Sequence, residues 1–220
     1  MKNSNAIRFI LPPPGTFLPN NDDDPLPFYY KPIIGSIYRD RIQGGLDLLM
    51  PPYGKVLEFG YGSGILLPSL ARLSGDLHGV DLNSDPDATQ MCLRSVGISA
   101  HLQRGDLLSM SYPEKSFDLI VAFSVFEHIA DPRPLLDEMC RILSDSGSLL
   151  IGMPRVDRAM ERLFSIIGFS GIEKHHVTTY RQVINASRER FSLVRMTSLP
   201  SWLPKAFGMY FTMLFSKKLN

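Results

Sequence analysis

Val56-Leu57-Glu58-Phe59-Gly60-Tyr61-Gly62-Ser63-Gly64 is the stretch from which the fold can be read. Apolar residues flank one acid, and then glycine takes every second position. The apolar run reads as a buried strand, and the glycines read as the turn that leaves it. Ile65 to Leu73, which follows, has helical character. Strand, glycine turn and helix in that order place backbone N–H groups and a helix N-terminus beside a crevice at the carboxyl end of a strand. Side chains at those glycines would block the close approach of a ligand. An ordinary tight turn is the competing reading, and the chain on either side argues against it.

Downstream, Leu77 to Leu82 is a second short apolar run that closes on Asp81. Asp85-Pro86 predicts the cap of a helix lasting to Gly97. Ile98 to Gln103 reads as a third strand, followed by Arg104-Gly105-Asp106-Leu107. Phe117 to Phe123 is almost wholly apolar, as expected for a strand buried on both faces. Asp131-Pro132 opens a helix with Leu135, Leu136, Met139, Ile142 and Leu143 at helical spacing. Gly147 to Met153 reads as a fifth strand. Upstream, Ser36 to Met50 is an amphipathic helix ended by Pro51-Pro52-Tyr53-Gly54. Strands that alternate with helices argue for a doubly wound α/β fold with a mainly parallel sheet.

The last third differs. Val156 to Ile167 and Thr178 to Arg188 look helical, and Arg190 to Ser198 reads as a strand. Gly208 to Lys217 is apolar and aromatic. It reads either as a membrane-touching segment, with Lys217 and Lys218 at the head groups, or as a last strand of the sheet. The strand is preferred, because nothing in it repeats at helical spacing with a charged opposite face.

Composition narrows the function. The chain has 220 residues, enough for one α/β domain with a real core. An apolar share of 44% excludes wholesale disorder. A formal net charge of +1 provides no general basic field, so no nucleic-acid partner is expected. Cys92 and Cys140 cannot form a disulfide framework or a four-cysteine zinc site, and no metal is expected. Ala6 to Leu11 is too short for a signal peptide and holds Arg8, and no apolar stretch reaches membrane-spanning length. A cytoplasmic protein is the resulting expectation. Met1 to Pro27 is rich in proline, asparagine and aspartate and reads as a mobile arm or a loosely laid-down leader. Phe28-Tyr29-Tyr30 reads as core anchors of that leader or as a substrate lid. Residues 1–34 are therefore set apart as an arm or lid, and 35–220 as the domain.

Three acids, Glu58, Asp81 and Asp106, close three successive strands. In a doubly wound sheet the carboxyl ends of neighbouring strands face one crevice. Acids there can accept hydrogen bonds from ribose hydroxyls and from an amine. Asp81 follows Gly60 at about the interval of a ribose-binding acid in a nucleotide-binding βαβ unit.

With these residues the chain resembles the class I S-adenosylmethionine-dependent methyltransferases, in the small-molecule (methyltransferase type 11-like) branch. The resemblance runs from about residue 35 to 217 and is strongest from Val56 to Met153. It rests on Leu57-Glu58-Phe59-Gly60-Tyr61-Gly62-Ser63-Gly64, on Phe117-Asp118-Leu119-Ile120-Val121 followed by Phe126-Glu127-His128-Ile129, and on Leu143-Ser144-Asp145-Ser146-Gly147-Ser148-Leu149. It implies a Rossmann-like sheet of seven strands, the last one antiparallel beside the fifth. It also implies S-adenosylmethionine as methyl donor, leaving S-adenosylhomocysteine. Gly60, Gly62 and Gly64 would lie under the methionine part, near Glu58. Asp81, with Leu82 beside it, would hold the ribose. Asp106 would face the adenine amino group, with Leu107 against the ring, and Phe123 and Ser124 would border the methionine end. Tyr61 departs from the small or acidic residue common in that loop.

Methyl transfer from a sulfonium is an in-line displacement, helped mostly by alignment. The nucleophile can also need its proton removed. His128 and His176 are the candidate bases. For His128 the competing role is to hold loop backbone, and for His175-His176 it is a solvated loop. His78 and His101 fall inside strand patterns and read as structural. The acceptor is expected to be a small, apolar or amphiphilic molecule methylated on oxygen, nitrogen or carbon, contacting residues around 154–190. Two alternatives compete. One is a non-catalytic methyltransferase-like binding subunit. The other is an NAD-dependent oxidoreductase, whose third glycine would stand at the position of Ile65.

Overall fold

The computed structural model describes residues 7–20, 24–155 and 177–219. Its strands are β1 (Lys55–Phe59), β2 (Asp76–Asp81), β3 (His101–Arg104), β4 (Phe117–Phe123), β5 (Leu143–Pro154), β6 (Phe191–Leu199) and β7 (Tyr210–Lys217). Its helices are α1 (Leu26–Tyr29), α2 (Ile34–Leu46), α3 (Leu67–Leu70), α4 (Pro86–Ser95), α5 (Arg133–Ile142) and α6 (Tyr180–Ser187). The strands form one sheet in the order β3-β2-β1-β4-β5-β7-β6. The first five pair in parallel. β7 runs antiparallel to both β5 and β6. The doubly wound fold with an antiparallel last strand is therefore present.

Alternation along the strands builds a core on each face of the sheet. Val56, Leu77, Leu119, Val121 and Leu150 pack with Leu67 and Leu70 of α3 on one face. Leu57, Val80, Ile120, Leu149 and Ile151 pack with Leu136 and Met139 of α5 on the other. A period of two residues sends neighbours to opposite faces, so an almost wholly apolar strand such as β4 is buried from both sides. Burying each such side chain contributes roughly 1.5–3 kcal/mol. Phe211, Met213 and Phe215 are likewise buried, and the apolar tail is a core strand, not a membrane contact.

Several boundaries move. The helical stretch after the glycine turn contracts to α3. Pro68 has no N–H to donate back to Gly64, and around it Leu67 and Ser69 bond three residues back, to Gly64 and Leu66. β3 starts at His101, three residues later than the alternation suggests. β5 starts at Leu143, directly from α5 with no intervening loop. The helix at Asp85-Pro86 forms as expected, with the Asp85 carboxylate accepting from the N–H groups of Asp87 and Ala88. The helix expected over 156–167 lies outside the described residues.

The leader is not loose where it is described. Gln43 of α2 accepts from Phe9 N–H and donates to the Ile7 carbonyl, both at 2.8 Å. Ser69 accepts from Ile10 N–H at 2.9 Å, and Tyr30 donates to the Pro12 carbonyl at 3.0 Å. Phe17, Leu26 and Tyr29 belong to the core. Proline-rich sequence hid this, because few apolar residues suffice when each finds a slot on α2 and α3.

Candidate functional site

The glycine turn leaves β1 at the carboxyl end of the sheet. Gly60, Gly62 and Gly64 all have positive φ, +76°, +53° and +83°. Their surroundings differ. A Cβ on Gly60 would meet Val125, and one on Gly64 would meet Thr89, Leu67 and Phe17. A Cβ on Gly62 would have nothing within 4 Å, so the space over the turn is open there. Gly60 and Gly64 are thus glycine for packing, and Gly62 leaves room for a ligand.

Asp81 holds this turn. One carboxylate oxygen accepts from Gly62 N–H at 2.9 Å, and the other accepts from Asn83 and Ser84 N–H at 2.8 Å each. Ser84, fully buried, donates to the Gly62 carbonyl at 2.8 Å. Sequence reasoning missed Ser84, although Asp81-Leu82-Asn83-Ser84 is an Asx-turn pattern. Leu82 is exposed beside Asp81. Asp106 is exposed and caps the short turn after β3 by accepting from Leu108 N–H at 3.0 Å. Leu107 is fully buried in the core with Val80 and Phe126.

Glu58 lies beneath the turn, 4% exposed, and one carboxylate oxygen has no partner. Burial, and then the nearby Asp81, hold its carboxyl well above the usual range. A buried carboxyl short of a hydrogen bond is costly, and a cationic donor would relieve it. Glu58, Asp81 and the glycines are therefore brought together at one end of the sheet.

Beyond β4, the Phe123 ring fills the space over Gly45 and Gly152, where a Cβ would come within 2.5 Å and 2.3 Å of it. Ser124 follows with φ +56°, a conformation uncommon for non-glycine residues. His128 is exposed at the end of the turn Phe126–His128, while Glu127 beside it is 1% exposed. His175 and His176 lie outside the described residues.

Two groups stand apart from this crevice. Asp76, His78 and His101 bring three ligand-type atoms within 4.8 Å of one another. Lys55 sits 3.3 Å from one Asp76 carboxylate oxygen, and His78 is hydrogen-bonded to the other at 2.8 Å. A cavity of about 310 Å³ lined by Lys115, Cys140, Asp145, Arg190 and Lys217 lies at the opposite end of the strands.

Residues 34–198 match the family model of a methyltransferase domain. The chain belongs to the methyltransferase domain family. It is similar to the ubiquinone biosynthesis O-methyltransferase of Hahella chejuensis, with 24% identity over 70% of this chain and 63% of that protein. It is also similar to the enzyme of the same name from Shewanella sp., with 26% identity over 50% of this chain and 45% of that protein. The chain thus spans about half to under two thirds of the length of these relatives. Among solved structures, it resembles the N-methyltransferase NodS of Bradyrhizobium japonicum in complex with S-adenosylhomocysteine. The TM-score is 0.65 at 21% identity, covering 91% of this chain and 95% of that one. Among the described residues, no helix is long and apolar enough to cross a membrane.

Proposed function

We propose that this chain transfers a methyl group from S-adenosylmethionine to a small molecule. The observation that carries the reading is the open, left-handed Gly62 whose N–H is held by Asp81. The residues present fit the donor. The turn from Gly60 to Gly64 offers backbone to the methionine part. Asp81 has about four acceptor directions, of which three are used by backbone N–H groups, and a ribose hydroxyl can take the remaining one. The exposed Leu82 and Asp106 flank the place for the base. The unpaired Glu58 suits a cationic ligand. When bound, S-adenosylmethionine supplies a methyl group made electrophilic by its sulfonium.

The names of the relatives support an oxygen or nitrogen acceptor on a small molecule.

Calorimetry tests the reading. S-adenosylhomocysteine should bind and NADH should not. Binding of neither ligand would overturn the proposal, and binding of NADH alone would replace it with a dehydrogenase.

A further inference from the structure

Residues far apart in the chain converge just past the end of β4. Ser124 Oγ lies 3.3 Å from Arg41 Nη1 of α2 and 3.2 Å from the Tyr210 hydroxyl of β7. Arg41 Nη2 donates to the Tyr29 hydroxyl of α1 at 2.9 Å. The guanidinium stands 4.3 Å from the Tyr38 ring centre and 5.5 Å from those of Tyr29 and Tyr210. Three tyrosines thus wall in one arginine. Even so, Arg41 Nε is shielded from solvent and has no hydrogen-bond partner among the described residues.

Glu127 is the counterpart. It is 1% exposed, and Oε2 has no partner either. Its backbone carbonyl accepts from Val177 and Thr178 N–H, which fixes the turn that carries it. Arg41 and Glu127 feel each other's charge without touching. Buried polar groups in native proteins are almost always hydrogen-bonded. An unpaired donor and an unpaired acceptor, both buried and within electrostatic reach of each other, ask for one ligand with complementary ends. The place is also right: Val125, between Ser124 and Glu127, packs directly on Gly60 of the donor turn.

We propose, resting on the methyl-transfer reading above, that Arg41 and Glu127 form the acceptor subsite, and that the acceptor is a small molecule with a carboxylate seated on Arg41 and a hydroxyl or amine beside Glu127. A planar guanidinium matches a carboxylate better than other anchors do, and the tyrosine walls suit an aromatic body. Glu127 Oε2 takes the proton from the acceptor's hydroxyl as it attacks, or from its protonated amine beforehand. The freed lone pair forms the bond to the methyl carbon as the carbon–sulfur bond breaks. The electron pair stays on sulfur, which leaves as a neutral thioether, and Glu127 later gives the proton to water. Burial pushes the Glu127 carboxyl up to about 7, so it can take a proton near neutrality. Burial also keeps the Tyr210 phenol above its ordinary value and therefore protonated.

Benzoate is the probe, with neutral benzamide as its control. The protein is first loaded with S-adenosylhomocysteine and the loading measured by calorimetry. If loading fails, the methyl-transfer reading falls, and this inference with it. With loading intact, benzoate should bind and benzamide should bind about tenfold more weakly or worse. Arg41→Met should abolish that preference while S-adenosylhomocysteine affinity stays within about twofold. Benzoate affinity should fall as pH rises through 7, where Glu127 ionises, and Glu127→Gln should flatten the fall. The titratable groups that interact with Glu127 are Arg41 and Tyr210, with His128 on the same turn and Tyr29 and Tyr38 around Arg41, and the Gln variant separates Glu127 from them. No saturable benzoate binding to the loaded wild type would overturn the proposal. So would benzoate binding that is unchanged in Arg41→Met, or a pH profile that is unchanged in Glu127→Gln.

Discussion

Gly60 is seated against Val125: a Cβ on Gly60 would stand 2.3 Å from Val125 Cγ2. The turn after β1 and the loop after β4 therefore rest on each other. One carries the proposed donor cradle, and the other carries Ser124 and Glu127. A shift in either loop is passed to the other through this contact, because packed side chains have little slack.

Gly60→Ala should damage both halves at once. The new methyl collides with Val125, and φ +76° is strained for alanine. A loss of about 1–3 kcal/mol in stability is expected, along with weaker binding of S-adenosylhomocysteine. Chemical denaturation and calorimetry read the two effects. An alanine variant with wild-type values in both would show that the loops are independent.

Asp81→Ala should cost more than a ribose contact. It leaves the N–H groups of Gly62, Asn83 and Ser84 without their acceptor. S-adenosylhomocysteine affinity should fall about tenfold or more, equivalent to about 1.4 kcal/mol. Unchanged affinity by calorimetry would remove Asp81 from the donor site.

Stability should fall as pH rises from about 5 to 8. Glu127 and Glu58 both have carboxyls raised by burial in the fold. A raised carboxyl binds its proton more tightly folded than unfolded. Its contribution is complete below the unfolded value of about 4.3 and is lost as pH passes the folded value. For Glu127, whose folded value is about 7, the loss amounts to about 4 kcal/mol at most. Thermal melts at pH 5 and pH 8 should show the slope, and Glu127→Gln should reduce it. An equal slope in the variant would mean that Glu127 titrates normally.

Phe17→Ala tests the leader. Phe17 is 3% exposed, and its ring stands 3.3 Å from where a Gly64 Cβ would be. Truncating it should cost about 3 kcal/mol through the cavity left behind, and should loosen the end of the glycine turn. A change below about 0.5 kcal/mol in chemical denaturation would mean that the leader is merely draped over the domain.

Elements with strong local signals were legible in the sequence. β4 runs from Phe117 to Phe123 as its almost wholly apolar pattern predicts, and Asp85 caps α4 as its sequence suggests. The glycines, Asp81 and Glu58 converge because parallel strands end on one side, which follows from strand order alone. Boundaries that depend on competing backbone bonds were not legible: Pro68 shortened α3, and α5 passed directly into β5. The cluster around Arg41 was hidden for a different reason. Arg41 and Ser124 are 83 positions apart, and Ser124 and Tyr210 are 86 apart. No local pattern links them, and nothing in the sequence distinguishes the buried Glu127 from the exposed His128 beside it.

β7 comes last in the chain yet lies between β5 and β6. During synthesis, the glycine turn and Asp81 can take shape once β4 has emerged. β6 must wait for β7, its only pairing partner among the described residues, and Arg41 for its third tyrosine, until Tyr210 and the strand it begins slide into the gap. On the proposed reading, the growing chain thus acquires its two sites at different times: the proposed place for the methyl donor first, and the proposed place for the acceptor only when β7 has closed the sheet.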